Sequence, residues 1–190
     1  TALSNKSVNI AGYREGVGTI VSSATLDMGG GQLIRVENSF ELLAGNRYSK
    51  TDTQLTNIGS SALNNLRLWI GTRDDWVGQG DSSFKSKGNI VNNAFVSLPT
   101  QNTASNALKV TESNDGSTGG AVLFYSTSDG VDMAHASCCS LSNSTNKDPR
   151  TSLISSARID GSYAMFKRLS DLASGQSGGF IWYYAGAPVS

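Results

Sequence analysis

The sequence predicts an all-β fold, a single β-sandwich domain over residues 1–190 with long loops and little helix. Three observations carry that expectation. Apolar residues fall in short alternating runs bounded by Gly, Asn, Ser or Asp, the period of a strand and not of a helix. Gly is abundant at 21 residues and Pro scarce at 3, while Asp outnumbers Glu by eleven to four, a bias toward turns, caps and oxygen-rich loops. The runs number nine and are spaced as in sandwiches. A chain of 190 residues fills one core well, whereas two halves would each have a thin one.

Taken in order, GTIVSS (18–23) is a β-branched run opened by Gly and closed by Ser. LIRVENSFEL (33–42) and YSKTDTQLTN (48–57) alternate along their length and are separated by Gly45 and Asn46. LRLWIG (66–71) sets Leu66, Leu68 and Ile70 on one face. NAFVSL (93–98), NALKVTES (106–113) and AVLFYST (121–127) are short apolar runs closed by polar residues. SYAMFKRL (162–169) precedes GFIWYYAG (179–186), in which Phe180, Trp182 and Tyr184 share one face and Ile181 and Tyr183 the other. A helical turn or two is expected only around 169–174. Two patterns, Asn57-x-Gly59 followed by Leu63, and Leu172-x-x-Gly175-x-Ser177-x-x-Phe180, resemble segments that recur in immunoglobulin-like modules of bacterial surface proteins.

Charge is balanced at fifteen acidic and fifteen basic residues, and charged types make up 16 % of the chain, so neither a nucleic-acid face nor a polybasic membrane patch is visible. No apolar stretch approaches the length of a membrane span. A start at Thr1 without Met is expected of a domain cut from a longer polypeptide or of one whose leader has been removed. His135 is the sole histidine, which excludes a His-rich zinc site, and no G-x-S-x-G elbow accompanies it. Asn143-Ser144-Thr145 is a glycosylation sequon that has meaning only in a eukaryotic secretory setting. Trp182-Tyr183-Tyr184 reads as core plus a neighbouring sheet face.

The loop GTRDDWVGQGDSSFKSKGN (71–89) concentrates charge in a chain that has little of it. Asp74 and Asp75 are adjacent, so they do not by themselves converge on one bond as a glycosidase pair must. Ca²⁺ takes six to eight oxygens at roughly 2.3–2.6 Å, and Asp74, Asp75, Asp81 and Asn89 supply such ligands, with Gly78, Gly80 and Gly88 allowing the bends. The alternative is a solvated turn in which Arg73 and the lysines pair with the aspartates. A second oxygen-rich segment, Ser126, Ser128, Asp129 and Asp132, follows the strand AVLFY and reads either as further ligands, Asp129 and Asp132 among them, or as a capped turn. Adjacent Cys138 and Cys139 form either a strained vicinal disulfide, a rigid apolar ledge, or a pair of reduced thiols.

Together, GTRDDWVGQGDSSFKSKGNI, Cys138-Cys139 and DGSYAMFKRLSDLASGQSGGFIWYYAGA resemble the peptide-binding domain of long repeats-in-toxin (RTX) adhesins of Marinomonas and Vibrio, over residues 33–187. The resemblance implies a calcium-dependent β-sandwich at the surface of a bacterial cell. Such a module grips exposed peptide ends on proteins of other cells, without catalysis, nucleic acid or membrane insertion, as a monomeric part of a larger chain. Arg73, Asp74, Asp75, Asp81, Lys87 and Asn89 would form the calcium and pocket loop, with Ser128, Asp129, Cys138 and Cys139 completing the ligand mouth. Trp76 offers an apolar wall. Three other functions follow from the same residues. A calcium-dependent lectin would use Trp76 as a sugar platform, an extender module would use Ca²⁺ only to stiffen loops, and a polysaccharide-cleaving enzyme would draw on Glu112, Asp115, Asp129 and Asp132.

Overall fold

The computed structural model describes residues 2–78, 81–98, 104–113, 117–137, 156–158 and 160–189. Every regular element among them is a strand, as the alternating runs predict. The chain groups into two compact units, one of residues 1–68 and 168–183, the other of residues 69–167 and 184–190.

The first unit holds β1 (Ala2–Arg14), β2 (Val17–Gly29), β3 (Gln32–Leu42), β4 (Tyr48–Asn57) and most of β13 (Ser177–Pro188), hydrogen-bonded in that order. β1 to β4 form an antiparallel meander. Its core is Ile34, Leu55, Leu63, Leu169 and Leu172, with Leu26, Val36, Leu66 and Leu68 packed against it. The two immunoglobulin-like patterns meet here. Leu63 and Leu172 form an antiparallel bridge with reciprocal N–H···O bonds of 2.9 Å. Buried Asn57 donates from Nδ2 to the carbonyls of Ser61 and Leu172, each at 2.9 Å, and accepts from the Gly59 amide at 3.0 Å. Gly59 must lack a side chain, because a Cβ there would run into the backbone of Gly31 and Leu33. The helical turn expected around 169–174 is not formed. Leu169 and Leu172 instead donate backbone hydrogen bonds to Leu66 and Leu63, a sheet-like partnership that competes successfully with a short helix. Trp182 is half-buried, its indole donating to Thr53 Oγ1 at 3.0 Å and its ring edge-on to Phe40.

The second unit holds β6 (Phe84–Val91), β7 (Ala94–Ser97), β8 (Ala107–Thr111), β9 (Gly120–Ser126) and β11 (Ser156–Arg158), in the order β9-β8-β6-β11 with β7 also on β6, and the last residues of β13 beside β9. A second, three-stranded sheet runs β10 (Val131–Ser137), β12 (Gly161–Arg168), β5 (Arg67–Thr72). The two sheets enclose Leu108, Val110, Phe124, Met133 and Met165, all buried, and Phe124 on β9 meets Tyr163 on β12 with ring centroids 5.1 Å apart. This is the face-to-face arrangement of a sandwich.

Four strands lie outside the nine runs read from sequence. β1 mixes polar residues with Leu3, Val8, Ile10 and Tyr13, and all of these are exposed, so it shows no alternation between core and solvent. β6 is read as loop because Lys85, Lys87 and Asn89 occupy one of its faces. β10 lies inside the oxygen-rich segment, and β11 has only three residues.

Candidate metal and ligand site

β5 ends at Thr72, and the following loop is held by its own polar groups. Thr72 Oγ1 donates to the Asp74 carbonyl at 2.6 Å, Asp74 Oδ1 accepts from the Asp75 amide at 2.9 Å, and Asp81 Oδ1 accepts from the Ser82 amide at 3.1 Å. Val77 is buried, and Gly78 takes φ +64° over the Glu112 carboxylate, where a Cβ would collide. Ser162 on β12 donates to the Arg73 carbonyl at 2.8 Å, so the loop is tied to the start of that strand. Asp160 stands immediately before β12.

This construction brings carboxylate oxygens of Asp74, Asp75, Asp81 and Asp160 within 4.8 Å of one another. Opposite ligands of one Ca²⁺ stand about 4.6–5.2 Å apart, so four oxygens at this spacing fit a single coordination sphere. The group could hold a metal ion. Asp75 is fully buried and the other three are exposed, which leaves the cluster open on one side. Lys85, also fully buried, donates from Nζ to Asp75 Oδ2 and to the Ser83 carbonyl. Asp75 Oδ1 has no hydrogen-bond partner among the described residues. A buried carboxylate oxygen left in that state costs free energy unless a cation or donor completes it.

Electrostatics follow from the crowding. The Asp160 carboxyl is held above the usual aspartate range by desolvation and by the negative charges of Asp81, Asp75 and Asp74, with Lys85 opposing. Tyr163 is pushed well above the usual tyrosine range by burial, with Tyr184 and the Asp75 carboxylate adding to the effect. It therefore stays protonated at any ordinary pH.

Of the residues singled out in the sequence, Asp74, Asp75 and Asp81 come together. Arg73 and Trp76 flank them on the same loop, Trp76 being 60 % exposed. Asp160 joins them although it was not singled out. Its signal was an Asp-Gly pair directly ahead of a strand, where a turn aims side chains at a sheet rim. Lys87 is fully buried with its Nζ 3.7 Å from Asp132 Oδ1, and so is no pocket-lining cation. That Asp132 oxygen also accepts from Ser105 Oγ at 2.5 Å and from the Ser105 and Met133 amides at 3.1 and 2.8 Å. Asn89 Oδ1 is occupied by the Asn106 amide at 2.9 Å. Asn89, Ser128 and Asp129 line a separate cleft, and Asp129 and Asp132 are outside the acidic cluster. Cys138, Cys139, Asp115 and the sequon lie outside the described residues. His135 is buried within β10, opposite Tyr163 on β12.

An apolar groove of about 600 Å³ starts on the same loop, lined by Val77, Gly78, Gly119, Ala121, Val122 and Pro188 among others. Its walls are small side chains, which suits an extended chain carrying a compact apolar group.

No family model matches the chain, and no curated protein matches it in sequence. Among solved structures it is similar to a protein of Escherichia coli provisionally named an aldose 1-epimerase, with TM-score 0.50 and 10 % identity over 96 % of this chain and 68 % of that one. It is also similar to heparan sulfate lyase HepC from Pedobacter heparinus, with TM-score 0.45 and 11 % identity over 93 % of this chain and 21 % of that one. For alpha-galactosidase AgaB from Geobacillus stearothermophilus the TM-score is 0.45 and the identity 7 %, over 100 % of this chain and 27 % of that one. At these identities the likeness is one of β-fold alone.

Proposed function

We propose that this chain is a calcium-dependent, non-catalytic peptide-binding module of an extracellular bacterial adhesin of the RTX type, which attaches to other cells by gripping exposed peptide ends. One observation carries the reading. Carboxylate oxygens of four aspartates converge, one of the four is buried Asp75, whose Oδ1 has no hydrogen-bond partner among the described residues, and the cluster is open to solvent through its three exposed members. Ca²⁺ seated there keeps coordination positions that protein does not fill, and a ligand carboxylate is a good oxygen donor for them. Arg73, exposed beside the cluster, strengthens that choice by charge-assisted hydrogen bonding. The groove of small apolar residues beginning at Val77 supports selection of the ligand by side-chain size. The resemblance to RTX adhesin domains supplies the remaining support, including the cell-surface setting.

Exposed Trp76 favours a second reading, a calcium-dependent lectin in which the ion holds vicinal hydroxyls and the indole packs on the sugar ring. Calorimetry separates the two. Peptides with a free C-terminal carboxylate are expected to bind in millimolar Ca²⁺, and both C-terminal amidation and EDTA are expected to abolish binding. Equal binding of amidated peptides, or binding that persists in EDTA, would overturn the reading. Calcium-dependent binding on a glycan array with no peptide binding would establish the lectin instead.

A further inference from the structure

The second cleft shares no residue with the aspartate cluster. It has a volume of about 330 Å³, at the lower end of ligand-pocket sizes, and is lined by Asn89, Asn106, Tyr125, Thr127, Ser128 and Asp129 among others. Its frame is fixed by hydrogen bonds. The Asn89 side chain bridges the Ala104 carbonyl at 3.2 Å and the Asn106 amide at 2.9 Å, and Asn106 Oδ1 accepts from the Ile90 amide at 3.0 Å. Ser126 Oγ accepts from the Ser128 amide at 3.1 Å, which shapes the turn that carries Asp129. A rim held in this way loses little freedom when a ligand arrives.

Three groups on that rim remain uncommitted among the described residues: the Asn106 Nδ2 amide, the Thr127 hydroxyl and the Asp129 carboxylate. One donates, one accepts, and one does both. Each hydroxyl of a sugar ring likewise donates and accepts, so neighbouring hydroxyls are matched by such a set, with Tyr125 giving an aromatic wall. Among the described residues of the lining Asp129 is the one Asp, Glu, Lys or Arg, which disfavours carboxylate and phosphate ligands. A metal ion is disfavoured too, because Asp132 Oδ1 and Asn89 Oδ1 are already engaged.

We propose that this cleft is a metal-independent site for one neutral sugar residue, with Asn106, Thr127 and Asp129 hydrogen-bonding its hydroxyls. The site is independent of the calcium cluster and survives its removal. The test is saturation-transfer NMR on the full chain in EDTA, with methyl glycosides of glucose, galactose, mannose, fucose and N-acetylglucosamine, and glucuronate as the anionic control. At least one neutral glycoside is expected to receive saturation and glucuronate none. Asp129→Ala and Asn106→Ala are each expected to weaken that binding by about tenfold while leaving melting temperature and Ca²⁺ affinity unchanged. Asp81→Ala is expected to do the reverse. No transfer to any neutral glycoside, transfer that requires Ca²⁺, or transfer undiminished in both cleft variants would overturn the proposal.

Discussion

Asp75 and Lys85 are both fully buried, and each is tolerable only because the other is present. One ammonium beside four carboxylates leaves a local excess of negative charge, and at Asp160, on the solvent side, desolvation first and then these neighbouring charges raise the pKa. The sign of the effect on stability is definite. A carboxyl whose folded pKa lies above its unfolded value binds protons more tightly when folded, so it destabilises the metal-free protein at neutral pH, and this is relieved as pH falls toward the ordinary aspartate range. In EDTA, Asp160→Asn is therefore expected to melt higher than the parent at pH 7, with the gap closing on acidification. In Ca²⁺ the order should reverse at pH 7, because a ligand has been lost. Thermal melts across pH with and without Ca²⁺ check both halves, and an Asn variant that melts lower in EDTA at pH 7 would refute the crowding argument. Asp74, Asp75 and Asp81 were legible in the sequence because one short loop carries them. Asp160 was not, because strand pairing and not proximity in the chain brings it to the loop.

Elements were legible where alternation and burial agree. β3 and β4 follow the runs read from sequence closely, since each has one face on the Leu55 and Ile34 core. β6 was illegible because its inward face carries two lysines, Lys85 and Lys87, where a sequence rule expects apolar residues. Their aspartate partners come from the β5–β6 loop and from β10, so only the folded chain makes the strand intelligible. The pairing of Leu63 with Leu172 has a measurable weight. Leu172→Ala removes a buried side chain from a small cluster and is expected to cost about 2–5 kcal/mol in denaturant unfolding. An exposed alanine change such as Ser170→Ala should cost under about 0.5 kcal/mol. A loss under about 1 kcal/mol for Leu172→Ala would show that the cluster refills readily.

The whole chain has a formal net charge of zero at pH 7, so the excess of carboxylates in the cluster is local. Ion binding confined to the folded state raises stability by mass action, about 2.7 kcal/mol when free Ca²⁺ is about a hundred times its Kd. For a protein of this size that corresponds to a rise in Tm of roughly 5–10 °C. EDTA is expected to remove the rise, and Asp81→Ala to blunt it, in differential scanning calorimetry. A Tm indifferent to millimolar Ca²⁺ would remove the metal from the proposed function.

The sequence by itself determined the strand-rich fold, because period-two alternation and turn residues are local properties that survive in any tertiary context. It also determined that the loop after β5 would be oxygen-rich. Tertiary structure alone decided which aspartates converge, that Lys85 and Lys87 are interior counter-ions, and that Asn89 and Asp129 belong to a different cleft. The reason is physical: a metal site or a buried ion pair depends on distances of a few ångströms between groups far apart in the chain, and strand pairing sets those distances.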